Sequence, residues 1–412
     1  MSAPPLPAPP HPIRRAVELV RPAVLREHFV ERSGGHPVAA DFAPHLDEAL
    51  AWLARAQDAT ASGGIARGYA LFSHPYFGVR GWEPEYPETT GYIIPTLYMA
   101  ADHLGRGEFA ERALRAARWE CDVQLPDGSV RGGVMGQPVS PAVFNTGQVL
   151  FGWLAAHAYT GDARFADATV RAAQWLVERL DADGVWRRDT SRFAASNRAL
   201  YNARTAWALA EAGARLGLPR ATAAARRALN TVAEHQLTNG WLPDCCLTNP
   251  EAPLLHTLAY AIRGLLEGGR VLGDTRLIAR AEVAAAAVAR AVEADGRLPG
   301  RLDARWTPSA AWSCLTGNAQ MANIWLRLAE SSDNPLWLDA AFRALRFVAS
   351  TQNRRSRDPG LRGGIKGSAP MSGEYGTYET LSWATKFFAD GVMRYQRLTR
   401  RTTRVSLAHP LA

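Results

Sequence analysis

One turn dipeptide recurs at a fixed interval along this chain. The glycines of four such turns stand 56 residues apart, in Asp127-Gly128, Asp183-Gly184, Asn239-Gly240 and Asp295-Gly296. Two looser copies extend the series, GGIARGY from Gly63 and QNRRSRDPGLRGGIKGS from Gln352. A period of this length is typical of an architecture that repeats one supersecondary unit. We therefore predict six copies of a single structural unit.

Each unit contains two helical segments of different character. The six segments that lead into the glycine turns are amphipathic, whereas the six that follow the long loops are apolar on most of their circumference. A helix that is apolar all round belongs to a buried layer. The sequence therefore predicts an all-α fold, an (α/α)6 toroid of six helical hairpins with an inner and an outer ring. The inner segments begin near Tyr92, Asn145, Tyr201, Leu254, Cys314 and Tyr378.

Loop lengths distinguish a front from a back. The links LGRGE, TGDA, LGLP and SSDNP are short, whereas the connections into the inner helices run to roughly fifteen to thirty residues. Long ordered loops in a compact domain usually carry function. We therefore expect the site at the N-terminal ends of the inner helices. The predicted toroid spans residues 36–398, between a Pro-rich N-terminal tail with room for a helix (1–35) and a C-terminal tail (399–412).

Composition narrows the class of protein. The 412 residues include no apolar run of about 20 residues, and the N-terminal MSAPPLPAPPHPIRR lacks the apolar core of a signal peptide. Four irregularly spaced cysteines suit a reducing compartment. The net charge of +8 comes from scattered arginines, with no basic run interleaved with aromatic residues. We predict a cytoplasmic protein without a membrane span or a nucleic-acid partner; the sequence does not determine its oligomeric state.

Several stretches resemble a family of bacterial proteins found among genes for exopolysaccharide and surface-glycan biosynthesis. They are YPETTGYIIPTL, NGWLPDCCL, WSCLTGNAQMA, LRGGIKGS and YETLSWATKFFAD. The toroid itself resembles the six-hairpin superfold of many glycosidases, polysaccharide lyases, sugar epimerases, terpene cyclases and protein prenyltransferase subunits. The resemblance implies a glycan-related function without fixing the reaction, because one fold can host many functions.

The first long loop approaches its inner helix through WEPEYPETTGYIIP, residues 82–95. Carboxylates beside aromatic rings suit a glycan site, because one acid is kept protonated in a poorly solvated setting while rings stack on sugars. Glu88 is the predicted catalytic acid, whereas Glu83 and Glu85 are better explained as solvated loop charges. Because proline disfavours a helix interior, Pro95 predicts that ETTGYI is an extended or capped approach rather than regular helix.

A second carboxylate, Glu379, begins the last apolar segment, close to Tyr375 and Tyr378. We predict that Glu379 lies in the first turns of an inner helix and works with Glu88 as acid, base or nucleophile. The segment GTYETLSWA also resembles the tyrosine-bearing helix of glucuronyl C5-epimerases, over too few residues to transfer roles. Alternative catalytic groups are Asp244, His256 and Tyr378.

The fourth long loop, NGWLPDCCLTNPEAPLLHT, contains residue types that bind zinc. The candidate ligands are Asp244, Cys245, Cys246, His256 and Cys314. Adjacent cysteines point apart in most backbones, and a free cysteine is commonly a small buried hydrophobe. We therefore predict neither a metal nor a cofactor and keep zinc only as the alternative.

Polar and aromatic residues of the front loops and inner helix starts are predicted to bind substrate. An unpaired buried polar group costs about 1 to 3 kcal/mol, so these groups need partners. Arginines would hold a uronate or a phosphate, and tryptophans would stack on sugar rings. The predicted set is Arg80, Trp82, Tyr92, Asn145, Tyr201, Arg204, Trp241, Trp312, Asn318, Gln320 and Tyr375.

These features favour a carbohydrate-active enzyme, a hydrolase, lyase or epimerase whose partner is a glycan or glycan precursor. One alternative is a toroid enzyme for isoprenoid or other apolar substrates, like the terpene cyclases and prenyltransferases. The sequence has no DxDD or DDxxD run, which argues against known cyclase chemistry. Another alternative is a glycan-binding protein without catalytic activity.

Overall fold

The computed structural model describes residues 18–408, apart from 75–77, 192, 193, 195 and 197. This described part contains thirteen α-helices and five short strands. The helices are α1 Pro22–Arg32, α2 Ala43–Asp58, α3 Pro87–Leu104, α4 Gly107–Asp122, α5 Val143–Thr160, α6 Ala163–Arg179, α7 Ala203–Leu216, α8 Pro219–His235, α9 Leu255–Leu272, α10 Thr275–Arg290, α11 Leu315–Ala329, α12 Pro335–Thr351 and α13 Ser382–Ala408. The strands are β1 Gly68–Ala70, β2 Gly81–Trp82, β3 Ser313–Cys314, β4 Ser368–Ala369 and β5 Glu379–Leu381.

Helices α2 to α13 alternate between an outer and an inner ring. The odd-numbered helices from α3 to α13 pack against one another in order, and α13 contacts both α3 and α2, which closes the ring. In α9 every residue from Leu255 to Gly269 is buried, as expected of an inner helix. The predicted (α/α)6 toroid is confirmed. No helix of the described chain is long and apolar enough to cross a bilayer.

The repeated glycine turns join each hairpin to the next one. Gly128, Gly184, Gly240 and Gly296 all have φ between 81° and 92°, a conformation that favours glycine. At Gly296 a Cβ atom would lie 2.1 Å from the carbonyl oxygen of Arg343 on the following outer helix. These turns therefore need glycine for both their backbone angle and their close packing.

Glutamines at the ends of four outer helices reinforce the same junctions. The amide nitrogen of Gln124 donates to the carbonyl oxygens of Gly128 and Ala168, at 2.9 and 3.0 Å. Gln57 and Gln236 make the equivalent pairs of bonds. Gln352 bonds to Gly363 and to His45 of the first outer helix, so the sixth junction closes the circle.

The start of the first inner helix differs from the prediction. Regular helix runs from Pro87 to Leu104, with Pro87 in the first turn and Pro95 inside, so the expectation of an extended ETTGYI segment is wrong. Proline cannot donate to the carbonyl oxygen four residues earlier, which here belongs to Gly91. That oxygen faces Gly152 of α5 so closely that a Cβ there would lie 2.5 Å away. Tight packing between α3 and α5 therefore keeps the helix regular in spite of the proline.

Two small sheets lie on the front face. One has the order β2-β1-β5 and the other pairs β3 with β4, all antiparallel. Glu379 is the first residue of β5, where it pairs with Ala70 of β1, and β5 lies ahead of α13. The prediction that Glu379 lies within the inner helix is therefore wrong. The strand forms because the incoming chain hydrogen-bonds to the first front loop before it turns into the helix.

Helix α1 lies within the segment 1–35 and packs against the sixth front loop. Its Glu27 and Glu31 bind the buried ammonium of Lys366, at 2.8 and 2.9 Å. Burial acts to raise the pKa of Glu27, but the hydrogen bond from His36 and the charge of Lys366 lower it to about 2. At the other end of the chain, α13 continues past residue 398 to Ala408.

Replacing Gly296 with alanine should destabilise the protein by about 3 kcal/mol or more, because both the φ angle and the contact with Arg343 oppose a Cβ atom. Gly161 is the matched control, since its φ is 74° but nothing lies within 4 Å of its Cβ position. There G161A should cost only about 1 to 2 kcal/mol. Chemical denaturation measures both values, and equal losses would show that close packing at the repeat junction is unimportant.

Candidate active site

The first and sixth front loops bring three charged residues and a histidine together. Arg67 Nη1 donates to Glu83 Oε2 at 2.5 Å and to Glu379 Oε2 at 3.1 Å. His74 Nε2 lies 2.8 Å from Glu379 Oε1. The β1–β5 pairing positions this cluster, because Arg67 directly precedes β1 and Glu379 begins β5. We call these four residues the front charge cluster.

The two carboxyls of the cluster have different acidities. Burial raises the pKa of Glu83, although Arg67 acts against the rise. For Glu379 burial also acts to raise the pKa, but Arg67 and the hydrogen bond from His74 lower it overall. Glu83 Oε1 is buried with no hydrogen-bond partner. Glu379 is therefore the carboxyl that stays ionised, and Glu83 is the one that more readily takes up a proton.

The front charge cluster also supplies the metal-ligand types that lie closest together. One ligand atom each from His74, Glu83 and Glu379 lie within 4.8 Å of one another, the one such trio in the described residues. Arg67 already contacts both carboxylates and supplies positive charge there. A cation could bind this trio only if the guanidinium moved aside.

Glu88 is the most unusual carboxyl of the front face. It stands in the first turn of α3, partly accessible, and its Oε2 accepts a short hydrogen bond from the Tyr86 hydroxyl. Burial raises the pKa of Glu88 to about 7, against the Tyr86 hydrogen bond and the charges of Arg204 and Arg67, which lower it. A carboxyl with this pKa exchanges protons near neutrality, as general acids do.

Aromatic and imidazole rings form a continuous arc at the inner helix starts. The ring of Trp383 lies 5.0 Å from the guanidinium of Arg67 and donates through Nε1 to the Tyr375 hydroxyl at 2.9 Å. The arc then continues through rings whose centroids are 4.4 to 5.5 Å apart. These rings are Tyr375, His256, Tyr260, Phe144 and Tyr201. Such an apolar wall, with a few polar atoms, is typical of small-molecule and sugar sites.

His256 in this arc is held as a neutral base. Its Nδ1 lies 2.7 Å from Gln320 Oε1, and burial lowers its pKa to about 4. At neutral pH the ring therefore carries one proton. With Gln320 as acceptor, that proton is on Nδ1, which leaves Nε2 with a lone pair. His256 thus has the charge state of a general base.

Arg204, predicted to bind substrate at the mouth of the toroid, is buried below the mouth. Only 2% of this residue is exposed, and its Nε donates to Gln148 Oε1 at 2.5 Å. Five aromatic rings surround the guanidinium, with centroids 5.0 to 5.5 Å from Cζ. Tyr92 is one of them, and it stacks on Phe387 in the interior. Arg204 and Tyr92 therefore belong to the floor of the ring rather than to its mouth.

Other predicted residues have structural partners. Asp244 binds Ser196 and Arg198 at the surface, and Asn318 bonds to the backbone of Leu298 and Cys314. Asn145 donates to the Arg131 carbonyl, and Arg80 is exposed.

The three predicted tryptophans pack in separate places. Trp82 packs on Trp52 and Tyr69, and Trp241 packs on Trp306. Trp312 lies with Leu254 and Cys314. The structure does not bring these tryptophans into one open face for stacking.

Tyr378 faces α1 rather than Glu88. Its hydroxyl lies 3.2 Å from His28 Nε2, and its ring stacks on Phe72 at 4.1 Å. Its φ of 61° turns the chain just before β5, which directs the side chain away from that of Glu379. The predicted catalytic use of Tyr378 therefore has no geometric support.

The candidate zinc ligands do not converge. In the described residues the five side chains form no ligand trio, and Asp244 points to the surface ion pair with Arg198. Burial raises the pKa of Cys314 to about 12 and that of Cys245 well above its usual range, so both thiols are protonated as long as no metal binds them. The structure therefore gives no geometric support to the alternative of a zinc site in the fourth loop.

The sequence analysis assigns no role to Arg67 or His74, and it underrates Glu83. Arg67 stands in GGIARGY, which the repeat explains as a turn, and Glu83 was interpreted as a solvated charge. Glu83 is only 2% exposed, and its ion pair with Arg67 offsets the free-energy cost of burying the carboxylate. An arginine and a glutamate on neighbouring β-prone stretches of one loop were the available signal.

Comparison with known proteins supports the fold. No protein-family model matches the sequence, and no curated protein matches it. An unsaturated glucuronyl hydrolase specific for heparin superposes with a TM-score of 0.67 at 18% identity, covering 86% of this chain and 97% of that one. The unsaturated glucuronyl hydrolase of Bacillus sp. GL1 gives 0.65 at 16%, covering 87% and 97%. The cellobiose 2-epimerase of Bacillus thermoamylovorans gives 0.67 at 12%, covering 87% and 98%.

Replacing Glu88 with glutamine should change stability in a pH-dependent way. The pKa of Glu88 is about 7 in the folded state, above the ordinary value of 4.5. The free energy of unfolding therefore falls as the pH rises from 4.5 to about 7, because Glu88 ionises less readily in the folded protein. E88Q cannot ionise and should be more stable than the parent by about 1 to 3 kcal/mol at high pH, with little gain under acidic conditions. Urea denaturation at pH values on either side of the interval measures the difference. E374Q, at an exposed front-loop carboxyl, is the control, and a pH-independent effect of E88Q would contradict the raised pKa.

Proposed function

We propose that this chain is a carbohydrate-active enzyme that transfers protons at the front of the toroid. One observation carries the proposal: Glu88 has a pKa of about 7, while the pKa of Glu379 is lowered. Two carboxyls with separated acidities are what glycan acid–base chemistry needs. Solved structures of the same fold include glucuronyl hydrolases and a sugar epimerase, which supports a glycan as the substrate class.

Glu88 is the proposed general acid. Near neutral pH a substantial fraction of it is protonated, and the Tyr86 hydroxyl holds one carboxyl oxygen. That contact fixes the direction of the other oxygen, which can deliver a proton to a glycosidic oxygen. General acids of this kind typically contribute about 100- to 10,000-fold in rate.

Glu379 is the proposed anionic partner. Arg67 and His74 keep it ionised and oriented through contacts of 3.1 and 2.8 Å. In a hydrolase it would act as base or nucleophile, or stabilise positive charge on the sugar ring. Arg67 also reaches Glu88 electrostatically, so one guanidinium influences both carboxyls. The partly exposed ring of Tyr375, whose hydroxyl accepts a hydrogen bond from Trp383, is the proposed surface for a sugar.

Sugar epimerisation is the second candidate, because His256 is a neutral imidazole inside the aromatic arc. A neutral imidazole can accept a proton from the carbon next to a sugar carbonyl, although the lowered pKa makes it a weak base, and Glu88 could return a proton. The resemblance to proteins of exopolysaccharide gene clusters favours a surface glycan or its precursor as the natural substrate in either case. A cytoplasmic precursor would suit the predicted location.

A single labelling experiment tests the reaction type. The protein is incubated with unsaturated uronyl oligosaccharides, saturated oligosaccharides and reducing disaccharides, in H₂¹⁸O and separately in D₂O. Hydrolysis introduces ¹⁸O at a new reducing end, epimerisation introduces carbon-bound deuterium, and elimination gives a new double bond. Mass spectrometry and proton NMR detect each product.

E88Q should lower the rate of the reaction found by about 100-fold or more, and E379Q should lower it at least tenfold. E374Q should leave it unchanged, since that carboxyl is exposed and pairs with Arg301. H256Q should abolish deuterium incorporation if the reaction is epimerisation. Full activity of both E88Q and E379Q would overturn the assigned roles, and glycan binding without turnover would favour the binding-protein alternative.

A further inference from the structure

A cavity lies between the inner helices, on the side of their C-terminal halves and away from the front loops. Its volume is about 220 Å³, and it extends from Arg204 at the start of α7 towards Arg215 and Arg394 further along the inner helices. We call it the basal cavity; its charged and polar lining includes Arg204, Glu211, Arg263, Lys386 and Asp390.

Most charges around the basal cavity are neutralised in pairs. Lys386 Nζ donates to Asp390 Oδ2 at 2.6 Å, and Arg215 Nε donates to Glu211 Oε2 at 2.8 Å. Arg394 Nη1 likewise donates to Glu330 Oε1 at 2.5 Å. These three cations therefore have carboxylate partners within hydrogen-bond distance.

Arg204 and Arg263 differ from these cations, because neither donates a hydrogen bond to a carboxylate. Arg204 is 2% exposed, and its Nη1 has no hydrogen-bond partner. Its Nε donates to the neutral side chain of Gln148. Arg263 is 7% exposed, and its Nε and Nη1 have no hydrogen-bond partner. Its nearest carboxylate oxygen, Glu267 Oε1, lies 3.8 Å from Nε, which is an ion-pair distance but too long for a hydrogen bond, and Glu267 Oε2 accepts a hydrogen bond from Arg327 at 3.0 Å.

Two buried guanidiniums with unfilled donors carry a large desolvation cost. Aromatic rings recover part of it, since Trp207 lies 5.2 to 5.3 Å from Cζ of both arginines. The planar donor fork of arginine matches the oxygens of phosphate and carboxylate groups. The cavity is smaller than the roughly 300 to 1,000 Å³ of typical ligand pockets, so a compact group fits it best.

We propose that the basal cavity is a binding site for a small oxyanion, a phosphate or the phosphoryl group of a sugar phosphate, held by Arg204 and Arg263. The aromatic side chains of Tyr92, Phe151 and Trp207 also line the cavity, and an apolar face of a sugar ring would pack against them. Asp390 does not repel the ligand, because Lys386 and the Thr96 hydroxyl already hold its two oxygens. This proposal does not rest on the proposed function, although Arg204 also acts electrostatically on Glu88.

The test measures anion binding by the full chain with inorganic phosphate, using isothermal titration calorimetry and thermal unfolding at constant ionic strength set with chloride. Phosphate should give a saturable binding isotherm in calorimetry and should raise the unfolding temperature further as its concentration increases. R263Q should weaken the affinity at least about tenfold, because it removes charge-assisted hydrogen bonds. R227Q removes the same charge from an exposed position on outer helix α8 and should bind like the parent.

R263K provides a second variant in case R263Q fails to fold. It keeps the charge but loses the donor fork, so intermediate affinity is expected. A hexose phosphate that binds more tightly than inorganic phosphate would identify a sugar phosphate as the ligand, and equal affinity would identify free phosphate. The absence of saturable binding, or the same loss of affinity in R227Q as in R263Q, would overturn the proposal.

Discussion

The contact between each glycine turn and the next outer helix is the constraint on which the rest of the structure depends. Inner helices that are buried on all sides cannot be stable alone, so each hairpin needs a neighbour on both flanks. The turn at Gly296 packs on Arg343, and the final turn at Gly363 packs on Glu48 of the first outer helix. This last contact closes the ring and leaves no hairpin with an exposed apolar flank.

Ring closure also creates the front charge cluster. The sixth loop returns beside the first, where β5 pairs with β1. The pairing brings Glu379 to Arg67, although 312 positions separate them in the sequence. Helix α1 strengthens the same seam, since Glu27 and Glu31 hold Lys366 of the sixth loop. The most highly charged part of the front face thus lies where the two ends of the repeat meet.

This arrangement explains which features the sequence could predict. The hairpins follow from local signals, namely the spacing of turn glycines and the apolar character of the inner segments. Glu88 was identifiable because an acidic residue at a helix start, among aromatic residues, is a local pattern too. Arg67 and its partners were not, because the seam is formed by chain segments far apart in the sequence. The contact of Tyr378 with α1 could not be predicted for the same reason.

Arg204 links the electrostatics of the two ends of the inner ring. Its positive charge lowers the pKa of Glu88 against the effect of burial, and it also lines the basal cavity beside Arg263. Five aromatic rings surround the guanidinium between the two spaces. An anion that neutralises Arg204 from the basal cavity must therefore weaken its pull on Glu88. The acidity of the front carboxyl then depends on a charge buried inside the ring as well as on the groups that surround it.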